Sequence, residues 1–248
     1  MMLKRRTLMG VTMTMAVVFC VGISFAGQMK QNENMDMKMH HLHMLMNHGL
    51  GMVSEGASLE MLAGMKMTPA VDPMMLKHGK TMISQGKSLI SRALDGPEMK
   101  AMMKGKDADS PHMKYTHELG ENMLVAADIL EKMSVEGMSA PDMMAMHHQH
   151  IMLNHALGMA AEGANLVMLG QMGMAGDVDD FSIEHGKMML KDAQSMVSEI
   201  MEDKAMKEMH ERGISPEKDP MMKETHKLAE VSLKIIDMLS KMPVHGMK

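Results

Sequence analysis

The chain has almost no aromatic residues: of 248 positions, none is Trp, one is Tyr and three are Phe. That scarcity removes the stacking platforms of RNA and single-stranded nucleic-acid modules. It also argues against an aromatic-rich β-sandwich and an aromatic-lined sugar cleft. The only cysteine is Cys20, too few for a disulfide scaffold. A formal net charge of -5 supplies no basic stripe for nucleic acid, so none is expected as a partner. Collagen-like and polytopic membrane compositions are absent too. Ordinary core residues are also scarce, and what stands in their place is methionine, 44 residues of it.

Residues 1–26 read as a secretory signal peptide. Lys4, Arg5 and Arg6 form a basic start, Leu8 to Ile23 are largely apolar, and Ser24 and Ala26 supply the small residues of a cleavage site. Phe19 before Cys20 fits a lipoprotein cleavage box poorly, so no lipid anchor is expected, and the surroundings of Arg5 and Arg6 fit twin-arginine export poorly. The expected mature chain, Gly27–Lys248, has 222 residues and a net charge of -8, and it has no thiol. It can form no disulfide, no Cys-ligated metal site and no covalent haem link. A periplasmic or secreted location and no membrane anchor in the mature form follow as expectations.

The sequence repeats itself. Met39–Met103 aligns without a gap on Met146–His210 with 28 of 65 positions identical, and Ser110–Met133 aligns on Asp219–Met242 with 12 of 24 identical. Helical periodicity runs through both copies, and no segment sustains strand-like alternation. Helices are expected over about Met37 to Met67 and, in the copy, about Asp142 to Met174. A second helix is expected from Asp72 and Pro73 to near Gly96, and a short amphipathic piece over Pro97–Lys104. The last helix should open at Ser110 and Pro111, with Asp219 and Pro220 as its copy: a cap residue, then proline. The expected fold is all-α, a tandem duplication of an antiparallel helical bundle unit with three long helices and one short helix per copy. Its parts are a signal peptide (1–26), a flexible Met-rich segment (27–38), a first repeat (39–134), a linker (135–141), a second repeat (142–243) and a tail (244–248). Gly51, Gly56, Gly158 and Gly163 lie inside helices, where close helix crossing would compensate their poor propensity.

Leu, Ile, Val and Phe make up 38 of the 222 mature residues, a share that alone would suggest disorder. The 39 remaining Met must therefore supply about half of the apolar burial. Three patterns exceed that core role. In the first, Met35, Met37 and Met39 alternate with charged residues and then meet His40, His41 and His43, with Met44 following. Thioethers select Cu(I), and by the same logic Ag(I), while imidazoles accept Cu(I), Cu(II) and Zn(II). In the second, Met and His stand four residues apart on each long helix of both copies: His48 and Met52, His155 and Met159, His78 and Met82, His185 and Met189, Met113 and His117, Met222 and His226. That spacing places both side chains on one helix face, and Met75 adds a thioether one turn before His78. The neighbours of His117 at Gly120, Leu124 and Ala127 turn that face toward the bundle. In the third, the His triplet recurs as His147, His148 and His150, so twelve histidines are duplicated.

Several functions fit these patterns unequally. The run from Met35 through His43 and the overall composition resemble Met/His-rich periplasmic copper and silver resistance proteins as a broad class. The resemblance implies an exported protein that sequesters, stores or delivers Cu(I), with Ag(I) as a mimic and Cu(II) or Zn(II) at the His clusters. A copper exporter or metallochaperone would be its partner. Helical copper-storage bundles are similar in fold but are lined with Cys, which is missing here. A Met-rich chaperone or adaptor for hydrophobic clients would explain the Met but leave the histidines unused. Non-covalent haem with Met/His ligation is a further alternative. No Glu-x-x-His pair, Ser-His-Asp arrangement, phosphate loop or zinc-protease helix occurs, so no enzymatic activity is expected.

Overall fold

Capping side chains and prolines set where the helices begin. Ser110 Oγ accepts a hydrogen bond from the Met113 amide at 3.2 Å, and Asp219 Oδ1 accepts one from the Met222 amide at 2.8 Å, each with Pro in the first turn. Both caps satisfy amides that have no partner inside the helix. At the second helix, Asp72 is already helical rather than the cap, and it accepts a hydrogen bond from Thr68 Oγ1 at 2.7 Å.

The computed structural model describes residues 35–66, 68–104, 110–133, 141–173 and 176–242. Among them the chain forms eight α-helices, one short 3-10 turn and no strand, so the fold is all-α as the periodicity indicates. The first half holds α1 (Met35–Gly64), α2 (Asp72–Asp95), α3 (Pro97–Met103) and α4 (Pro111–Lys132). The second holds α5 (Pro141–Gln171), α6 (Asp179–Glu202), α7 (Lys204–Glu211) and α8 (Pro220–Ser240). Order and lengths run parallel in the two halves. Met39 onward forms one compact unit with the helices of both halves, and Met1–Lys38 is a separate unit, described only from Met35. The expected signal peptide, the segment up to residue 34, linker residues 134–140 and the tail from 243 lie outside the described residues. No described helix is long and apolar enough to cross a membrane.

α1 and α5 are covered on most sides. Along α5 the exposed positions are His148, His155, Glu162 and Leu169, a single stripe at seven-residue spacing, and His48, Glu55 and Leu62 form the matching stripe on α1. Helices covered this way belong to the interior of a bundle.

The antiparallel α1–α2 pair is built on glycine. Gly49 faces Gly86 and Gly56 faces Gly79 so closely that a Cβ on Gly86 would sit 2.4 Å from the Gly49 carbonyl oxygen, and one on Gly79 would sit 2.5 Å from that of Gly56. Gly163 faces Gly186 in the same way in the α5–α6 pair, and that register sets Ala156 opposite Ala193, both buried. Close crossing therefore accounts for Gly56 and Gly163. At Gly158 a Cβ would come 3.0 Å from Ser54 Oγ on α1, so a side chain there is also tightly constrained; of these glycines only Gly51 has nothing near its open side. On α2 the buried stripe is Gly79, Ile83, Gly86, Ile90 and Ala93, while Met75, Met82 and Leu89 are only half-buried.

The halves share one core, in which Leu50, Val53, Leu119, Leu153, Leu157 and Leu228 are fully buried. Polar contacts fix their register. Asn47 Nδ2 donates to Asn165 Oδ1 at 3.0 Å, the Tyr115 hydroxyl donates to the Met238 carbonyl, and Lys234 pairs with Glu118 at 2.8 Å.

Replacing Gly86 with Ala should lower stability by about 1–3 kcal/mol, because the added methyl meets backbone that cannot yield. Gly51→Ala, with open space, should instead raise stability by up to about 1 kcal/mol through helix propensity. Urea unfolding midpoints of the two variants check this. Equal midpoints would sink the close-packing account.

Candidate metal centre

Three helix segments of the second half converge: the start of α5, the short α7 and the start of α8. Asp203 fixes the entry to α7, its carboxylate accepting from the amides of Lys204 at 2.7 Å and Ala205 at 3.3 Å. α7 turns Met206 and Met209 inward and Lys204, Lys207, Glu208 and Glu211 outward. The Asp219 cap fixes the first turn of α8 and with it Met222. As a result Met146, Met206, Met209 and Met222, each at most 2% exposed, pack into a cluster of methionines set apart from the main core, with Ile214 and Met221 at its border.

Polar groups surround the cluster. His150, one turn beyond Met146, pairs through Nε2 with Thr225 Oγ1, one turn beyond Met222. The Thr225 hydroxyl also donates to the Met221 carbonyl at 2.8 Å. Its single proton is thereby used, so Nε2 of His150 must be the donor and Nδ1 carries the lone pair. That Nδ1 is buried and has no hydrogen-bond partner. His147, with no exposed surface, has none at either ring nitrogen. A buried polar atom left unpaired costs on the order of 1–3 kcal/mol, so three on two adjacent histidines call for an explanation. The rings of His147 and His150 meet edge to face, with centroids 6.2 Å apart.

Burial holds both imidazoles neutral. It pushes His150 down to about 3, with His147 adding to the effect, and it lowers His147 as well. Their lone pairs are therefore open to an ion at neutral pH with little competition from protons.

The corresponding methionines of the first half, Met39, Met99, Met102 and Met113, are all buried but belong to the main core. His43 repeats the threonine contact, with Nε2 2.8 Å from Thr116 Oγ1, while Thr116 donates to the His112 carbonyl at 3.0 Å. Burial, then His112 and His40, push His43 down to about 3. His40, His43 and His112 line a cavity of about 270 Å³ together with Lys187 and Leu239. Among the described residues, no three or more His, Cys, Asp or Glu are placed to hold one ion. A centre with three or more protein ligands would therefore draw on thioethers as well.

The other expected ligands are dispersed. His48, His78, His148 and His155 are exposed and His41 is half-buried, with Met44, Met52, Met75, Met82, Met159 and Met189 half-buried around the bundle. His185 is half-buried and stacks on Phe181. Met37 is half-buried; Met35 opens α1, which makes the alternating run helical from its start, and its side chain is outside the described residues. The i,i+4 pairs separate where they meet the core. Met113 and Met222 go inside, while His117 stays at the rim, paired with Glu121 at 3.2 Å, and His226 faces His210. Four residues differ by 40° around a helix, enough to divide a pair across the edge of a buried stripe. Gly120 and Ala127 on the same stripe are buried as the sequence indicates, but His117 itself is only half-buried at the rim. Sequence reasoning missed Met146, Met99, Met102, Met206, Met209, Thr116, Thr225 and His210. For Met99, Met102, Met206 and Met209 a signal was present, the Met-x-x-Met of the short helix recurring at the offset of the rest of the repeat, but it does not show which helices they meet.

A buried neutral histidine makes stability pH-dependent. With a folded value near 3 and an unfolded value near 6.5, His150 leaves stability undiminished above pH 6.5. As pH falls toward 3 the unfolded chain takes a proton that the folded chain refuses, so stability declines, by about 1.4 kcal/mol per pH unit. His150→Gln should remove that slope between pH 6 and 4, measured as urea midpoints relative to the parent. Parallel pH profiles would refute a buried neutral His150. No protein-family model, curated protein or solved structure matches this chain.

Proposed function

We propose that the protein binds Cu(I), with Ag(I) as a mimic, and stores or delivers it after export. The single observation behind this reading is the cluster of Met146, Met206, Met209 and Met222 beside two neutral buried imidazoles with unpaired nitrogens. Thioethers are soft donors that carry no proton to displace and select Cu(I) over hard cations. They form no disulfides, which suits an oxidising compartment, although they are open to sulfoxide formation. Burial of the four sulfurs would limit that damage. A chaperone for hydrophobic clients would need its flexible methionines on the surface, whereas the four clustered methionines are buried. Met39, Met99, Met102 and Met113 offer a second set of the same residue types, so one ion per half is the expected minimum.

An anaerobic Cu(I) titration against a chromophoric competitor tests this. At least one tightly held Cu(I) per half is expected. Changing Met206, Met209 and Met222 together to Leu keeps volume and removes sulfur, and it should weaken one Cu(I) by roughly 100-fold or more. Alanine at the exposed His48, His78 and His155 should leave tight binding unchanged. Full affinity in the triple Leu variant would end the proposal.

A further inference from the structure

α7 and α8 also hold a pair of histidines outside the thioether cluster. His210, in the last turn of α7, and His226, in the second turn of α8, bring their Nε2 atoms to 3.2 Å, with ring centroids 5.2 Å apart and planes tilted by 30°. Two imidazole nitrogens come this close when one donates a proton to the other's lone pair, or when both lone pairs face one cation. Two imidazoles on a tetrahedral ion at 2.0–2.1 Å would place their nitrogens about 3.3 Å apart, so little movement separates the two states. Both rings are half-buried, which keeps a path to solvent. Glu217, on the segment joining α7 to α8, interacts electrostatically with both rings, while its carboxylate accepts from Ser215 Oγ at 2.6 Å.

The pair belongs to the second half alone. The position matching His210 is Met103, which is exposed, and the one matching His226 is His117, which is paired with Glu121. We propose that His210 and His226 form a site for a borderline divalent cation of the Zn(II) or Cu(II) class, distinct from the soft-ion site in ligands and in ion. Imidazole nitrogen suits such ions, water can complete the coordination, and the negative charge of Glu217 nearby favours a cation.

The test is a Zn(II) titration of the ¹⁵N-labelled protein, read from the imidazole resonances. Below one equivalent, His210 and His226 should shift together to a state with metal on Nε2 and the proton on Nδ1, ahead of His48, His78, His148 and His155. His210→Ala and His226→Ala should each weaken the first Zn(II) by roughly tenfold or more, and His117→Ala should leave it unchanged. The triple Leu variant of the methionine cluster should keep this Zn(II), so a failure here and a failure of the Cu(I) reading appear in different experiments. If the first equivalent goes to other histidines, or if His210→Ala and His226→Ala bind it as the parent does, the proposal is overturned.

Discussion

Backbone-to-backbone contact between antiparallel helices is the constraint on which the rest depends. With few Leu, Ile, Val and aromatic side chains, the chain cannot fill wide gaps between helices. Glycine at Gly49, Gly56, Gly79 and Gly86 closes the gap instead, so carbonyls and α-carbons make the dispersion contacts that bulky side chains make elsewhere. The second half does the same with Gly163 and Gly186, and with Ala156 and Ala193. In the second half, four buried methionines gather near the starts of α5 and α8, where the short helix α7 supplies two of them.

The histidines depend on that placement. His43 and His150 each lie more than two turns inside their helix, where they are buried, and a threonine on the facing helix holds one ring nitrogen. Burial then fixes the charge at zero, and the threonine's bond to its own helix fixes which nitrogen keeps the lone pair. The protonation state and the tautomer are thus properties of the packing.

Helix starts could be read from the sequence because their causes are local: Ser110 and Asp219 sit next to the amides they cap. The glycine seam was partly readable, since Gly79 and Gly86 recur at seven residues, but Gly51 looks the same in sequence and has no close neighbour. The methionine cluster was not readable. Met206 and Met209 acquire meaning only when α7 folds back over the starts of α5 and α8, and no pattern within eight residues reports that return. The Met–His pairs misled for the opposite reason. Spacing places two residues on one face but says nothing about where the edge of the buried stripe will fall, and at Met113 and His117 it falls between them.

The methionine cluster of the second half stands apart from the main core, whereas its counterpart in the first half is continuous with it. A region joined to the rest by few apolar contacts opens on its own, without global unfolding. For an ion held among Met146, Met206, Met209 and Met222, residence time is then set by a local opening of α7 and the first turn of α8. The first half lacks that freedom, because exposing Met39 or Met113 disturbs the shared core. Two sets of the same donors, one hinged and one locked, would exchange their cargo at different rates within a single chain.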